Sequence, residues 1–144
     1  MYQHILIPYD GSDEADLGVE HGIELAAELD ATVHALYVID LPDTPRTVYY
    51  TTDDDEQEER FQAYADEILG DVCEWAEAAG VTCEMHVTHG RPGPRIADFA
   101  EEEGMDLIVM GSAYTGSLRT LLGGTTDKVV RTATVPVLTY RGEE

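Results

Sequence analysis

The sequence predicts an α/β protein: a single domain with a doubly wound parallel sheet and helices on both faces. Short apolar runs, typical of buried strands, alternate with longer segments whose apolar residues recur every three or four positions. Turn-forming Gly, Pro, Asp and Ser residues separate these segments. The resulting order, β-α-β-α-β-α-β-α-β, favours parallel strands joined by right-handed crossovers. A chain of 144 residues fits one domain, so we predict a single domain over 1–144.

The individual elements follow from local patterns. Ser12 is a typical N-cap, and the acidic residues that follow it suit the positive end of a helix dipole. The polar loop 40–55 is expected to be mobile or functional. In order, the predicted elements are a strand at 4–9, a helix from Ser12 to Asp30, a strand at 32–39, a helix at 53–79, a strand at 81–87, a short helix from Pro94 to Gly104, a strand at 107–110, a helix-like segment at 127–132 and a strand at 135–140.

The stretch 106–131 is the strongest candidate for a site. A buried strand ends in the Gly/Ser/Thr-rich loop 111–126, which leads into a helix. Glycines let a backbone approach a ligand closely, and free N–H groups at a helix N-terminus face an anion, so this arrangement can cradle phosphate. The competing interpretation is a flexible connection with no ligand.

A second loop converges on the first if the sheet reverses its winding between the first and fourth strands. Ligands of such sheets bind beyond the carboxyl ends of the strands at that reversal. Residues 10–12 (Asp-Gly-Ser) would then face the loop that begins at Gly111. This convergence predicts a nucleotide site, with the Asp10 carboxylate opposite an anion cradle.

Charge excludes several partners. The chain has 30 acidic and 8 basic residues, a net charge of −22, and Lys128 is its only lysine. Such a surface repels nucleic acids and anionic membranes, so we expect neither as a partner. No apolar run could span a bilayer and no signal peptide is evident, which predicts a cytoplasmic protein. Self-repulsion of this size suggests a halophilic protein that is stable at high salt.

Cysteines, histidines and enzyme motifs offer little catalytic chemistry. Cys73 and Cys83 are expected to be reduced, because no C-x-x-C motif is present. Three histidines that fall in strands are expected to be structural, and His89, placed in a turn without matching ligands, does not predict a metal site. Neither a P-loop nor a nucleophile elbow occurs. The histidines in strands are His4, His34 and His86.

Several segments, in order, match a known family. These are Ile5-Leu6-Ile7-Pro8-Tyr9-Asp10-Gly11-Ser12, Tyr37-Val38-Ile39-Asp40, Gly90-Arg91-Pro92 leading to Ile96, Asp106-Leu107-Ile108-Val109-Met110-Gly111, 121–131 and Val135-Pro136-Val137-Leu138. On these segments the chain resembles the universal stress proteins along nearly its whole length, and in particular their single-domain archaeal members. The resemblance implies a five-stranded, Rossmann-like sheet of the adenine nucleotide alpha hydrolase type, in the order 3-2-1-4-5. It also implies a homodimer formed through the last strand, 135–140.

The resemblance further implies ATP binding through the motif G-x2-G-x9-G-[S/T]. Gly111, Gly124 and Thr125 match the motif, whereas Tyr114 replaces its second glycine. Three interpretations of Tyr114 stay open: it fills the cradle, stacks on the base or lies at the surface. Carried over by position, the adenosine side is lined by Pro8, Tyr9, Asp10 and Val38, the nucleotide lies over Met110 and Gly111, and the phosphates are held by Gly124, Thr125 and Thr126. Bound Mg²⁺ would have Asp10 as its nearest carboxylate.

The resulting expectation is an ATP-binding, dimeric stress-response or signalling module that is not an enzyme. Two alternatives stay open: a protein-interaction module that no longer binds ATP, and a slow ATPase. Purely structural roles are also possible for the same residues. Asp10 can order its own turn, and the pair 124–125 can cap the last helix.

Overall fold

A computed structural model of the chain describes residues 1–40, 53–112 and 124–141. The strands of this part of the chain are β1 (His4–Pro8), β2 (Thr32–Asp40), β3 (Cys83–Gly90), β4 (Leu107–Ser112) and β5 (Val137–Arg141). Its helices are α1 (Asp13–Leu29), α2 (Asp53–Ala78), α3 (Pro92–Glu102) and α4 (Thr125–Thr132). None of these helices is both long and apolar enough to cross a membrane.

The predicted fold class is confirmed. All strand pairs are parallel and the order across the sheet is β3-β2-β1-β4-β5, so the winding reverses between β1 and β4. β3 and β5 form the two edges.

Alternate residues of each strand fill two apolar layers, one on each face of the sheet. One layer joins Ile5, Ile7 and Val109 to α1 and α2, and the other joins Leu6, Leu36 and Ile108 to α3 and α4. Leu6 and Ile108 are fully buried. Each such side chain stabilises the fold by about 1.5–3 kcal/mol, and the two layers fix the strand ends relative to one another.

The helix starts follow local chemistry. The Ser12 hydroxyl accepts a hydrogen bond from the Ala15 N–H at 3.2 Å, which confirms the predicted N-cap of α1. Proline begins α3 two residues earlier than predicted, because Pro92 fits the first helical turn as well as Pro94 does.

Strand boundaries also differ from the prediction, with β3 shifted at both ends and β5 at Val137–Arg141 in place of 135–140. β3 starts at Cys83 and continues to Gly90, since β2 offers it pairing partners up to Asp40. His89 therefore lies in a strand and not in a turn. In the predicted loop 40–55, Asp40 ends β2 and residues 53–55 begin α2. Residues 41–52 lie outside the described part of the chain.

The prediction of reduced cysteines is wrong. Cys73 and Cys83 form a disulfide, with their Cα atoms 5.2 Å apart. α2 and β3 are consecutive antiparallel neighbours in space, so the last turns of the helix lie beside the first residue of the strand. The two cysteines are ten residues apart in the sequence. This spacing matches no cysteine motif, so the sequence did not reveal the contact.

Candidate functional site

A cavity of about 380 Å³ opens at the carboxyl ends of β1, β2 and β4, beside the start of α4. This is the position where ligands bind in sheets of this topology. Its described lining residues are Pro8, Tyr9, Asp10, Ser12, Glu14, Ala15, Leu36, Val38, Pro92, Ile96, Met110, Gly111, Ser112, Gly124, Thr125, Thr126 and Asp127. The described residues of the two loops that the sequence predicted to converge therefore line one cavity.

Of the residues predicted to hold a nucleotide, all that fall in the described part of the chain line this cavity. Tyr114 lies outside the described residues, so the effect of replacing the second motif glycine stays a prediction. Ligand contacts for the other residues are also still predictions. Several residues of the wall lie outside the two loops that the sequence predicted to form the site: Glu14, Ala15, Leu36, Pro92, Ile96 and Asp127.

The cavity has an apolar part and a polar part. Leu36, Val38, Ile96 and Met110 belong to the apolar layer beneath α3 and α4 and present hydrocarbon to the cavity. The polar part lies at the N-terminus of α4. A ligand with a flat apolar group and an anionic group would find a complement in each part.

The N-terminus of α4 lies at the cavity, where its backbone N–H groups can meet an anion. Its N-cap, Gly124, has an extended backbone (φ −77°, ψ −175°) and contributes no side-chain cap. The Lys128 N–H, which donates to the Gly124 carbonyl at 3.1 Å, closes the first turn. The backbone N–H groups of residues 125–127 have no partner inside the helix. The helix dipole adds partial positive charge at this end.

Thr126 and Gly111 join α4 to β4. The Thr126 hydroxyl donates to the Gly111 carbonyl oxygen at 3.1 Å. The hydroxyl hydrogen is therefore used within the protein, and what Thr126 offers a ligand is its backbone N–H and a hydroxyl lone pair.

Asp10 orders its own turn. Its Oδ1 accepts the Ser12 N–H at 2.9 Å, and the Tyr64 hydroxyl donates to the Asp10 backbone carbonyl at 3.1 Å. The structural role considered for Asp10, ordering its own turn, is thus present. The carboxylate is nevertheless exposed at the cavity rim, where its second oxygen can take a further partner.

Tyr9 is held mainly by structural contacts. Only 8% of the residue is exposed, and its hydroxyl donates to Asp16 Oδ1 at 2.6 Å. Burial, followed by that hydrogen bond, raises the pKa of Tyr9 well above its ordinary value, so the phenol stays neutral. Tyr9 therefore shapes the wall of the cavity and brings no charge to it.

The described lining of the cavity is acidic. Three carboxylates line it, at Asp10, Glu14 and Asp127, and no lysine or arginine is among the described lining residues. Arg131 Nη2 lies 3.0 Å from Asp127 Oδ2. The two groups form an ion pair, but their geometry is not that of a hydrogen bond. A polyanionic ligand would need a cation of its own to balance these charges.

Comparison with known proteins decides the family. The family model described as "Universal stress protein family" matches residues 1–141. The chain belongs to the universal stress protein family. A curated member, Universal stress protein MJ0531 of Methanocaldococcus jannaschii, is 36% identical over 143 residues, which cover 98% of this chain and 83% of that protein.

Solved structures agree in fold. The hypothetical protein MJ0577 superposes with a TM-score of 0.81 at 27% identity, covering 100% of this chain and 99% of the other. A universal stress protein solved in complex with cAMP has a TM-score of 0.75 at 25% identity, with 96% of each chain covered.

Sequence reasoning missed a row of histidines at the opposite end of the sheet. His4 Nδ1 lies 3.0 Å from His34 Nε2, and His34 Nδ1 lies 3.0 Å from His86 Nε2. Burial lowers the pKa of His34. All three residues were expected to be structural, and each is indeed hydrogen-bonded. The signal that could have revealed the row is their placement on one face of three adjacent strands.

Proposed function

We propose that this chain binds ATP with Mg²⁺ in the cavity and acts as a dimeric stress-response or signalling module. The observation that carries the proposal is the pairing of an apolar wall with the open N-terminus of α4 across one cavity. Membership of the family supports it, as does the relative solved with cAMP, an adenine nucleotide.

The adenosine would lie against the apolar wall. Val38 and Met110 offer hydrocarbon to the base, while Pro8 and Tyr9 close the side nearest β1. The phosphates would accept hydrogen bonds from the backbone N–H groups of residues 124–126, where the helix dipole favours negative charge.

Bound Mg²⁺ would offset the repulsion between the ATP phosphates and the carboxylates of the cavity. ATP adds negative phosphates to a site that already carries three carboxylates. A hard divalent cation bound by phosphate oxygens and one or two carboxylates is the usual arrangement in nucleotide sites. Asp10 is the candidate ligand, since one of its oxygens is free of the Ser12 hydrogen bond. Binding should therefore be much weaker with chelator than with Mg²⁺.

A nucleotide panel tests the class of ligand. Unfolding temperature is followed with ATP, AMP, cAMP and GTP, each with Mg²⁺ and with chelator. A ligand present at one hundred times its Kd stabilises the fold by about 2.7 kcal/mol. Stabilisation by ATP with Mg²⁺ supports the proposal. No response to any adenine nucleotide would refute it and leave the protein-interaction module as the remaining function.

Dimerisation through β5 is part of the proposal. β5 (Val137–Arg141) is an edge strand, so one of its sides has backbone groups that no other described strand pairs. A second copy could satisfy them by strand pairing. Sedimentation in molar KCl should give the mass of a dimer, and a monomer at micromolar concentration would count against this arrangement.

We also propose that the protein is halophilic and cytoplasmic and that it has no nucleic-acid partner. The acidic charge of −22, with one lysine, fits a halophilic chain and disfavours nucleic-acid partners. A cytoplasmic location fits the supply of ATP there.

A further inference from the structure

We propose a second, separate site: a divalent transition-metal site, suited to Zn²⁺, formed by His34, Glu84 and His86. It lies on the face of the sheet covered by α3, towards the amino ends of the strands. The nucleotide cavity lies at the carboxyl ends, so the two sites do not share residues.

The register of the sheet gathers these ligands. His34 on β2 is paired with Glu84 on β3, and His86 follows Glu84 by two residues. Residues two apart on a strand point to the same face, so the three side chains converge. One ligand atom from each residue lies within 4.8 Å of the other two.

The two candidate ligand nitrogens already lie close together. His34 Nδ1 and His86 Nε2 are 3.0 Å apart. Two nitrogens bound to tetrahedral zinc at about 2.0–2.1 Å from the ion are about 3.3 Å apart, so a shift of a few tenths of an ångström would admit the ion. The ring that now carries the shared hydrogen would change tautomer, with that hydrogen passing to solvent and another from solvent binding its other nitrogen. Both facing nitrogens would then have lone pairs for the metal.

His4 supplies the orienting contact that such a ligand needs. Its Nδ1 lies 3.0 Å from the other nitrogen of His34. With Nδ1 of His34 on the metal, the Nε2–H of His34 would donate to His4, which fixes the tautomer and the ring plane. Metal-bound histidines usually make a contact of this kind.

The surroundings favour a cation and allow it to enter. Glu84 and Glu103 are the carboxylates that act electrostatically on His34. His34 is buried, His86 is half-buried and Glu84 is exposed, so the ligand set opens towards solvent. Two nitrogens and one carboxylate oxygen would leave a fourth position for water, a donor set that zinc commonly accepts.

Zn²⁺ titration of the full, untagged chain tests the site. Calorimetry is run with excess Mg²⁺ and molar KCl to suppress weak binding by surface carboxylates, and without reductant, so that Cys73 and Cys83 stay paired. Cobalt provides an optical readout, since four-coordinate Co²⁺ absorbs strongly in the visible. We expect one Zn²⁺ per chain and a cobalt spectrum of this type.

Three variants locate the ion. His86→Gln and Glu84→Gln should each weaken Zn²⁺ binding at least about tenfold and abolish the cobalt bands. His89→Gln is the matched control: His89 lies on the same strand, on the other face, 2.7 Å from Glu58. It should bind as the wild type does. Since Glu84 is exposed, Glu84→Gln should fold even if His86→Gln does not.

Two kinds of result would overturn the proposal. One is the absence of stoichiometric binding to the wild type. The other is binding that His89→Gln weakens as much as the two ligand variants do, or that survives in Glu84→Gln with unchanged affinity.

Discussion

Gly111 lies so close to Gly18 that a Cβ on Gly18 would stand 2.8 Å from the Gly111 nitrogen. A Cβ on Gly111 would in turn collide with the backbone carbonyl of Glu14. The end of β4 and the first turns of α1 thus touch backbone to backbone. The first glycine of the predicted motif is required for packing, whether or not a nucleotide is bound.

Gly111→Ala should therefore destabilise the protein without ligand. Overpacking of this kind costs about 1–3 kcal/mol. Gly70→Ala, inside α2, is the control, because no described atom beyond its own helix neighbours lies within 4 Å of a Cβ built on Gly70. Urea unfolding should show a lower midpoint for the first variant only. Equal midpoints for Gly111→Ala and wild type would mean that the contact relaxes at no cost.

Asp106 joins the starts of β1 and β4. Its Oδ2 accepts the N–H groups of Gln3 and His4, each at 2.9 Å. Burial raises the pKa of Asp106, but the two backbone donors outweigh burial, and the pKa is lowered overall. The unfolded chain therefore binds more protons than the folded one. The stabilisation is present above the unfolded pKa, near pH 4, and is lost as the pH falls through the folded value.

Asp106→Ala should lower the free energy of unfolding at pH 7 by about 1 kcal/mol. This is below the usual contribution of hydrogen bonds to a charged group, because solvent screens the site. The difference from wild type should shrink below about pH 4. Asp98→Ala, at an exposed position of α3, is the control and should not share this pH dependence. Urea unfolding from pH 7 to pH 3 makes the measurement. A difference that stays constant to pH 3 would contradict the role of the charge.

The Cys73–Cys83 disulfide fastens the end of α2 to the start of β3. Closing a loop of this length in the unfolded chain stabilises the fold by about 2–3 kcal/mol in the chain-entropy model. Reductant should lower the urea midpoint of the wild type to that of a Cys73→Ser/Cys83→Ser double variant, which should itself not respond. A wild-type midpoint that reductant leaves unchanged would mean that the bond contributes nothing.

Net charge should make stability depend on salt. With a charge of −22, repulsion between carboxylates opposes the compact state and is screened as ionic strength rises. We expect the melting temperature to rise between 0.1 M and 2 M KCl, concentrations at which the screening length falls from about 10 Å to a few ångströms. A triple variant with Glu67, Glu74 and Glu77 replaced by Gln, all exposed on α2, should respond less. A melting temperature that KCl does not move would contradict halophilic adaptation.

The sequence was sufficient for the features that depend on periodicity and on local chemistry. Apolar periodicity predicted the alternation of strands and helices, the family resemblance implied the sheet order, and Ser12 predicted the start of α1. Features that depend on contacts between elements were missed. The Cys73–Cys83 bond depends on how α2 returns beside β3, and the histidine row depends on a strand register that no single strand reveals. The wall of the cavity was predicted in part, since α3 contributes Ile96 through tertiary packing alone.

Calorimetry of Mg²⁺-ATP binding tests the central claim most directly. Titrations in molar KCl compare the wild type with Gly124→Leu, which would place a side chain where phosphate should bind. Gly70→Leu is the matched control, because Gly70 lies in α2 and is not among the described lining residues of the cavity. No described atom beyond its own helix neighbours lies within 4 Å of an added Cβ. We predict micromolar binding by wild type and Gly70→Leu, and its loss in Gly124→Leu. Undetectable binding by the wild type, or unchanged binding by Gly124→Leu, would contradict the account.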